Sequence, residues 1–246
     1  MKNIKNEIVV FIKNYVENAG AKGVVLGMSG GKDSFVVAAL ASLAVGSDNV
    51  FGIIMPNGKQ KDVDDAIFEC EFLKIKYTIS NIENLYNETI ALTKDSLKTE
   101  NLSKVTTLNI APRLRMNLLY SVAGTLGYLV ANTSNLSERM IGYSTKWGDA
   151  VGDFAPILSL TKTEVQELGI ELGLPENLVH KSPADGLTGC SDEEILGFSY
   201  FELDEFIRRG KKSENFDKIL KMYNSSKHKR NSIEFFDLKR KNFFDE

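Results

Sequence analysis

Two segments of this sequence carry residues whose types and spacing suit chemistry on a polyanionic ligand. The first reads Gly27-Met28-Ser29-Gly30-Gly31-Lys32-Asp33-Ser34. Its adjacent glycines let main-chain N–H groups come close to phosphate oxygens. Ser29 and Ser34 add hydroxyl donors. Asp33 would repel a phosphate unless a cation lay between them, which makes it a candidate Mg²⁺ ligand. The second segment runs from Asn132 to Asp153 and holds hydroxyls, the carboxylate of Glu138 and the block Thr145-Lys146-Trp147-Gly148-Asp149. Such a block suits a polar, anionic ligand.

Plainer explanations compete with both segments. Two adjacent glycines often do no more than close a strand–helix joint, but Ser-Gly-Gly-x-Asp-Ser asks for more than a turn. A Walker A loop needs Ser or Thr after its lysine, and here Asp33 follows Lys32. The dinucleotide Gly-x-Gly-x-x-Gly spacing is also absent from Gly27 to Gly31. For the second segment, the plain alternative is a polar loop in which Trp147 fills a gap.

The elements that must position these residues can be read from hydrophobic periodicity. Ile4, Ile8, Phe11, Ile12 and Tyr15 predict an amphipathic helix over about residues 3–18. Buried strands are predicted at 23–27 and 50–55, a third at 77–82 and a fourth at 127–131. Helices are predicted at 34–45, 62–74, 83–97 and 107–126, the last with a soft start at Pro112. Thr161-x-x-Glu164 and Ser191-x-x-Glu194 are capping boxes that open two more helices. The last third is mostly helical and loop-rich. Strands alternating with helices imply an α/β fold, a parallel sheet with helices on both faces. Both chemical segments then follow strands, at the carboxyl edge where open α/β sheets bind ligands. No repeat or low-complexity linker divides the chain, so residues 1–246 are expected to form one domain.

Bulk properties narrow the class. The 246 residues are 43% hydrophobic and 26% charged, as in soluble globular proteins. From Arg208 to Glu246 there are 12 Lys and Arg against 6 Asp and Glu, while the whole chain carries a net charge of -3. A basic stretch of this kind is first of all a solvated face. The two cysteines, Cys70 and Cys190, form no CxxC pair and no disulfide framework. The N-terminus lacks a signal-peptide apolar run, and no segment offers the ~20 apolar residues that span a bilayer. The expectation is a cytoplasmic protein with neither membrane nor nucleic acid as partner.

The loop at 29–34 resembles the pyrophosphate loop of the N-type ATP pyrophosphatases, a superfamily that cleaves ATP between the α and β phosphates and adenylates an oxygen. Further signals occur in a characteristic order. They are Pro56 with Asp62-Val63-Asp64-Asp65-Ala66, Pro112-Arg113-Leu114-Arg115-Met116, Asn132 to Glu138, Thr145 to Asp149, Leu160-Thr161-Lys162, Asp192-Glu193 and His228-Lys229-Arg230. In that order they resemble ammonia-dependent NAD synthetase over nearly the whole chain. The resemblance implies a Rossmann-like fold of the adenine nucleotide alpha hydrolase kind with a helical C-terminal extension.

Carried over position by position, it implies ATP binding by Gly27, Met28, Ser29, Gly30, Gly31, Lys32, Asp33, Ser34, Thr133 and Lys162. It implies Mg²⁺ at Asp33 and Glu138. Arg113, Lys146, Asp153, His228 and Lys229 would bind deamido-NAD, and Asp149, with Lys146, would serve the chemistry. ATP is then a co-substrate, ammonia the nitrogen donor and a homodimer the expected assembly. The sequence departs from the family at Ala184, where Ser or Thr is frequent beside Ser182 and Pro183, and at Asn231, where a proline is common. About 25 residues precede the loop, too few for a glutaminase domain, so free ammonia is the expected donor.

Two rival functions differ in what they need. A tRNA-thiolating or GMP synthetase-like relative would share the loop; thiolation would want paired reactive cysteines and a basic RNA surface. A non-catalytic nucleotide sensor would keep the loop without needing Glu138, Lys146, Asp149 and His228.

Overall fold

The structure, a computed structural model, describes residues 2–181, 191–234 and 236. Four parallel strands form one sheet in the order β3-β2-β1-β4: β1 (Val24–Gly27), β2 (Val50–Ile54), β3 (Lys76–Ile79) and β4 (Leu129–Val130). Alternation along the strands splits their side chains between two cores. Val24, Leu26, Val50 and Ile54 join one apolar cluster with α1 (Lys2–Asn18), α2 (Lys32–Val45), α3 (Val63–Leu73) and α7 (Lys162–Glu171). Val25, Ile53 and Val130 join the other with α4 (Glu83–Leu97) and α5 (Lys104–Leu126). The expected parallel sheet with helices on both faces is therefore present. Helix α2 is apolar nearly all round and buried from Ser34 to Ala41, as a helix sandwiched between sheet and outer helices must be.

The C-terminal extension comprises α9 (Asp192–Leu196), α10 (Tyr200–Arg209), α11 (Phe216–Ser225) and α12 (Lys227–Arg230); it packs on α6 (Leu136–Ile141), while α8 (Glu176–Val179) adds Leu178 and Val179 to the first core. Ile141, Leu196, Phe198, Leu203 and Ile219 form a third core there.

Three boundaries differ from expectation for local reasons. Helix α5 begins at Lys104 rather than 107, because Ser103 caps it by accepting the Thr106 N–H at 3.1 Å. Pro112 then lies inside the helix rather than at its start. Strand β3 ends at Ile79: the Asn81 side chain accepts N–H bonds from Gly58 and Glu83 and turns the chain into α4. Strand β4 starts two residues late, because Gly127 is the left-handed C-cap of α5 at φ +69°.

The strand order reverses between β1 and β4. Chain order runs β1 to β2 to β3 on one side and returns to β4 on the other. That is the switch point at which open α/β sheets bind ligands. The loop at 27–34 leaves β1, and the segment from Asn132 leaves β4, at this point.

Candidate active site

The loop between β1 and α2 is shaped by its own side chains. Ser34 Oγ donates to the Gly31 carbonyl at 2.9 Å and accepts the Ser29 N–H at 3.3 Å. Gly31 is the N-cap of α2 and offers no side-chain cap, so the first N–H groups of the helix stay available to an anion. Gly30 sits at φ +74°, and a Cβ there would lie 2.4 Å from the Asp62 carbonyl oxygen. Only glycine lets the loop lie this close to the start of α3.

Behind the loop, three charged side chains from distant parts of the chain converge. Lys162 opens α7, placed by the Thr161–Glu164 capping box. Its Nζ lies 2.7 Å from Asp33 Oδ2 and 2.7 Å from Glu138 Oε1. Burial alone would lower the Lys162 pKa, but the two carboxylates outweigh it and hold it raised. Glu138 is itself raised by burial and by the charge of Asp33. Its other oxygen caps α6 by accepting the Asn135 N–H, in a second capping box with Asn135. The Asn135 side chain also donates to Asp33 at 3.2 Å. Lys32 is buried beside them, its pKa lowered by burial and by the Lys162 charge. Asp204 on α10 supports the group from below, accepting from the Ser137 hydroxyl and from the Thr163 N–H at 2.8 Å.

The second segment folds over the same opening. Asn132 donates to the carbonyls of Asp149 at 2.8 Å and Val151 at 3.1 Å. The Thr145 N–H donates to the Asp149 carboxylate at 2.7 Å. Asp149 keeps contact with solvent through the opening, yet the protein crowded around its carboxyl raises its pKa against that bond and the Lys229 charge. Trp147 is held at φ +61°, an uncommon conformation for an aromatic residue that clusters at ligand sites.

A cavity of about 600 Å³ connects these parts. The whole run Gly27 to Ser34 lines it, as do Thr133, Glu138, Asp149, Lys162 and Lys229. Lys229 donates to the carbonyls of Gly142 and Ser144, each at 2.7 Å. That approach needs Gly142: a Cβ there would lie 2.1 Å from Ser226 Cβ. Lys146 and His228 line a second depression of about 800 Å³ instead, together with Trp147. Residues 145–149 thus form the wall between the two spaces.

Two expected substrate ligands lie outside both. The Arg113 guanidinium donates to the Lys146 carbonyl at 3.3 Å. The Asp153 carboxylate accepts the Val130 N–H at 2.7 Å and the Tyr120 hydroxyl at 3.3 Å, bonds that fasten β4. Arg115, not Arg113, lines the main cavity, anchored to the Met55 carbonyl at 2.9 Å. Helical phase says that the two arginines face different ways, since they are two residues apart, but only the packing of α5 decides which one faces the cavity. Ser182, Ala184 and Cys190 lie outside the described residues.

Comparison with known proteins settles the family. A family model described as NAD synthase matches residues 4–242. The chain belongs to the NAD synthase family. It is 44% identical over 204 residues to the NH(3)-dependent NAD(+) synthetase of Thermococcus sibiricus, covering 82% of this chain and 78% of the relative. Among solved structures it resembles the NMN synthetase of Francisella tularensis, at 33% identity and a TM-score of 0.88, over 96% of this chain and 98% of the other. It also resembles the NH3-dependent NAD synthetase of Campylobacter jejuni, at 31% identity and a TM-score of 0.80, over 96% and 99%. The α/β architecture of this NAD synthase family member is the Rossmann-like fold of those structures. Among the described residues, no helix is long and apolar enough to cross a membrane.

Proposed function

We propose that this chain is a ligase that amidates deamido-NAD with ammonia at the expense of ATP, giving NAD, AMP and pyrophosphate. One observation carries the reading beyond family membership. Asp149 lines the same cavity as the phosphate loop and the Asp33–Lys162–Glu138 group, so adenylation and amidation can share one space.

ATP takes its phosphates to the N–H groups of Gly30, Gly31 and the start of α2, with Lys32 and Lys162 supplying positive charge. Thr133 lines the same cavity. The nicotinate carboxylate of deamido-NAD attacks the α-phosphorus, and the bond to the pyrophosphate oxygen breaks. Ammonia then attacks the acyl carbon of the adenylate, AMP leaves with the bonding electrons, and one proton is lost from nitrogen. Asp149 accepts that proton or orients the ammonia, a task its raised pKa suits. Lys146, Trp147 and His228 support binding of the distal part of a dinucleotide in the second depression, with Lys229 facing the reacting part. Arg113 holds the Lys146 carbonyl, and Asp153 the end of β4, so both act on substrate through the loop they steady.

The residues fit Mg²⁺. Asp33 and Glu138 line the cavity beside the phosphate loop, and carboxylate oxygens that each bond Lys162 once keep lone pairs for a hard cation. No group of three His, Cys, Asp or Glu side chains converges among the described residues, so phosphate oxygens and water complete the shell. Bound there, Mg²⁺ would neutralise charge on the leaving pyrophosphate. Exposed Leu92, Leu97 and Val105 on α4 and α5 support a homodimer across that face. We place the protein in the cytoplasm, where these small substrates occur.

The likeness to an NMN synthetase favours a second reading, in which the acid amidated is the mononucleotide. The test is incubation with ATP, Mg²⁺ and ammonia and either the dinucleotide or the mononucleotide acid. Stoichiometric AMP and NAD from the dinucleotide support the proposal. Turnover of the mononucleotide alone supports the second reading, and ATP binding without turnover of either acid refutes both.

A further inference from the structure

Lys181 follows α8 and lines the main cavity beside Gly30 and Gly31. Its ammonium is clasped by two carboxylates, that of Asp62 and, at 2.6 Å, that of Asp65. These residues stand at the N-cap and in the first turn of α3, one turn apart on one face. The Asp62 carbonyl is also the atom that Gly30 approaches. The carboxylate pair and the phosphate loop are therefore neighbours.

That placement sets an electrostatic problem. The loop is arranged for a polyanion, and two carboxylates beside it repel one. Lys181 offsets part of that charge, and its side chain remains 34% exposed, with reach into the cavity. The fourth charged group near it does not compete for the lysine. Glu69 is fully buried one helical turn on, and burial with the charge of Asp65 keeps it protonated at neutral pH.

We propose that Lys181 is a further phosphate-binding residue, which bonds the terminal phosphates of ATP and then the departing pyrophosphate. Asp62 and Asp65 are positioning residues that carry the lysine to the loop from 119 and 116 residues away in the chain. The inference rests on the ATP-dependent reading above and deepens it.

The test is calorimetric binding of inorganic pyrophosphate with Mg²⁺ to the full chain, together with steady-state KM values. K181M raises the pyrophosphate Kd and the KM for ATP by about tenfold or more, the scale of one charge-assisted bond, and leaves the KM for deamido-NAD within about twofold. K181R keeps most of the binding. Screening and contact are separated by removing the carboxylates. If Lys181 bonds phosphate, D62N/D65N binds pyrophosphate about tenfold more tightly than D62N/D65N/K181M. Equal binding by that double and triple variant overturns the proposal, as does wild-type affinity in K181M. The double–triple comparison decides the matter even if K181M alone does not fold. Failure of the wild-type chain to bind ATP or pyrophosphate would instead sink the ATP-dependent reading.

Discussion

The ammonium of Lys162 lies 2.7 Å from the carboxylate of Asp33, which is 129 residues earlier in the chain and beyond the switch point of the sheet. The same ammonium holds Glu138 at 2.7 Å and is almost fully buried. It is thus the internal counter-charge of two carboxylates that face each other. Removing it leaves two largely buried carboxylates facing each other with the Asn135 hydrogen bonds but no cation between them. K162M should cost about 3–5 kcal/mol in denaturant unfolding, the usual penalty for breaking a buried ion pair from one side. Millimolar Mg²⁺ should return part of that stability in K162M and far less in a K162M/D33N/E138Q chain. Equal Mg²⁺ effects on the two variants would contradict a divalent site at these carboxylates.

Gly30 and Gly20 make a matched pair of left-handed glycines, at φ +74° and +63°. A Cβ at Gly20 meets nothing within 4 Å, whereas one at Gly30 meets the Asp62 carbonyl at 2.4 Å. G20A should cost about 1 kcal/mol from backbone strain and leave ATP affinity unchanged. G30A should add displacement of the phosphate loop and weaken ATP binding about tenfold or more, roughly the loss of one charge-assisted bond. Parallel titrations of the two variants with ATP check this. Equal affinities would mean that the loop's closeness to α3 does not matter for binding.

What the sequence disclosed follows the range of the interactions involved. The phosphate loop, the apolar α2 and the Thr161 capping box are local patterns, and each was legible at its position. The cap places Lys162 at the first turn of α7, but its place in the site came from the family resemblance and not from that local rule. The Asn135–Glu138 capping box was equally local, an Asn followed three residues later by Glu, but Glu138 stood out first as an oxygen donor. Other features depend on contacts that no local pattern encodes. Asp204 reaches Ser137 across 67 residues, and Asp153 reaches Val130 across 23. Arg113 and Arg115 sit in one basic run, and only the packing of α5 decides which of them faces the cavity. Pro112 reads as a helix start, yet Ser103 provides a stronger one.

Glu69 is fully buried, and the nearby Gly30 N–H only partly offsets what burial costs its carboxylate form. Burial, then the charges of Asp65 and Asp62, push its pKa up to about 9. The folded state therefore holds its proton more tightly than the unfolded chain, where an ordinary glutamate titrates near 4.3. By linkage, Glu69 subtracts nothing below the unfolded pKa and subtracts progressively more as pH rises towards about 9. E69Q keeps the shape and removes the titration. The stability difference between E69Q and wild type should grow in favour of E69Q between pH 5 and 9, by an amount on the order of a few kcal/mol. Chemical unfolding across that range reads it directly. A difference independent of pH would place the Glu69 carboxyl near its ordinary titration.

Asp149 offers the most direct separation of the two half-reactions. Its Oδ1 accepts the Thr145 N–H at 2.7 Å, and an asparagine retains that acceptor, so D149N should leave the loop from Thr145 to Val151 in place. The phosphate loop, Lys162 and the carboxylates of Asp33 and Glu138 are untouched. Adenylation of the nicotinate carboxylate should then proceed within about threefold of wild type, while amidation of the adenylate falls by roughly 10²–10⁴, the range of general acid–base assistance. The pH profile adds an independent sign. The Asp149 pKa is raised, so the base form is gained as pH increases through a value above the ordinary carboxylate range. Wild-type amidation should climb through that window, and the D149N rate should lack that step. In a single-turnover experiment with labelled ATP, D149N should accumulate the acyl adenylate and release AMP slowly. Unimpaired AMP release, or loss of adenylation itself, would remove Asp149 from the amidation step.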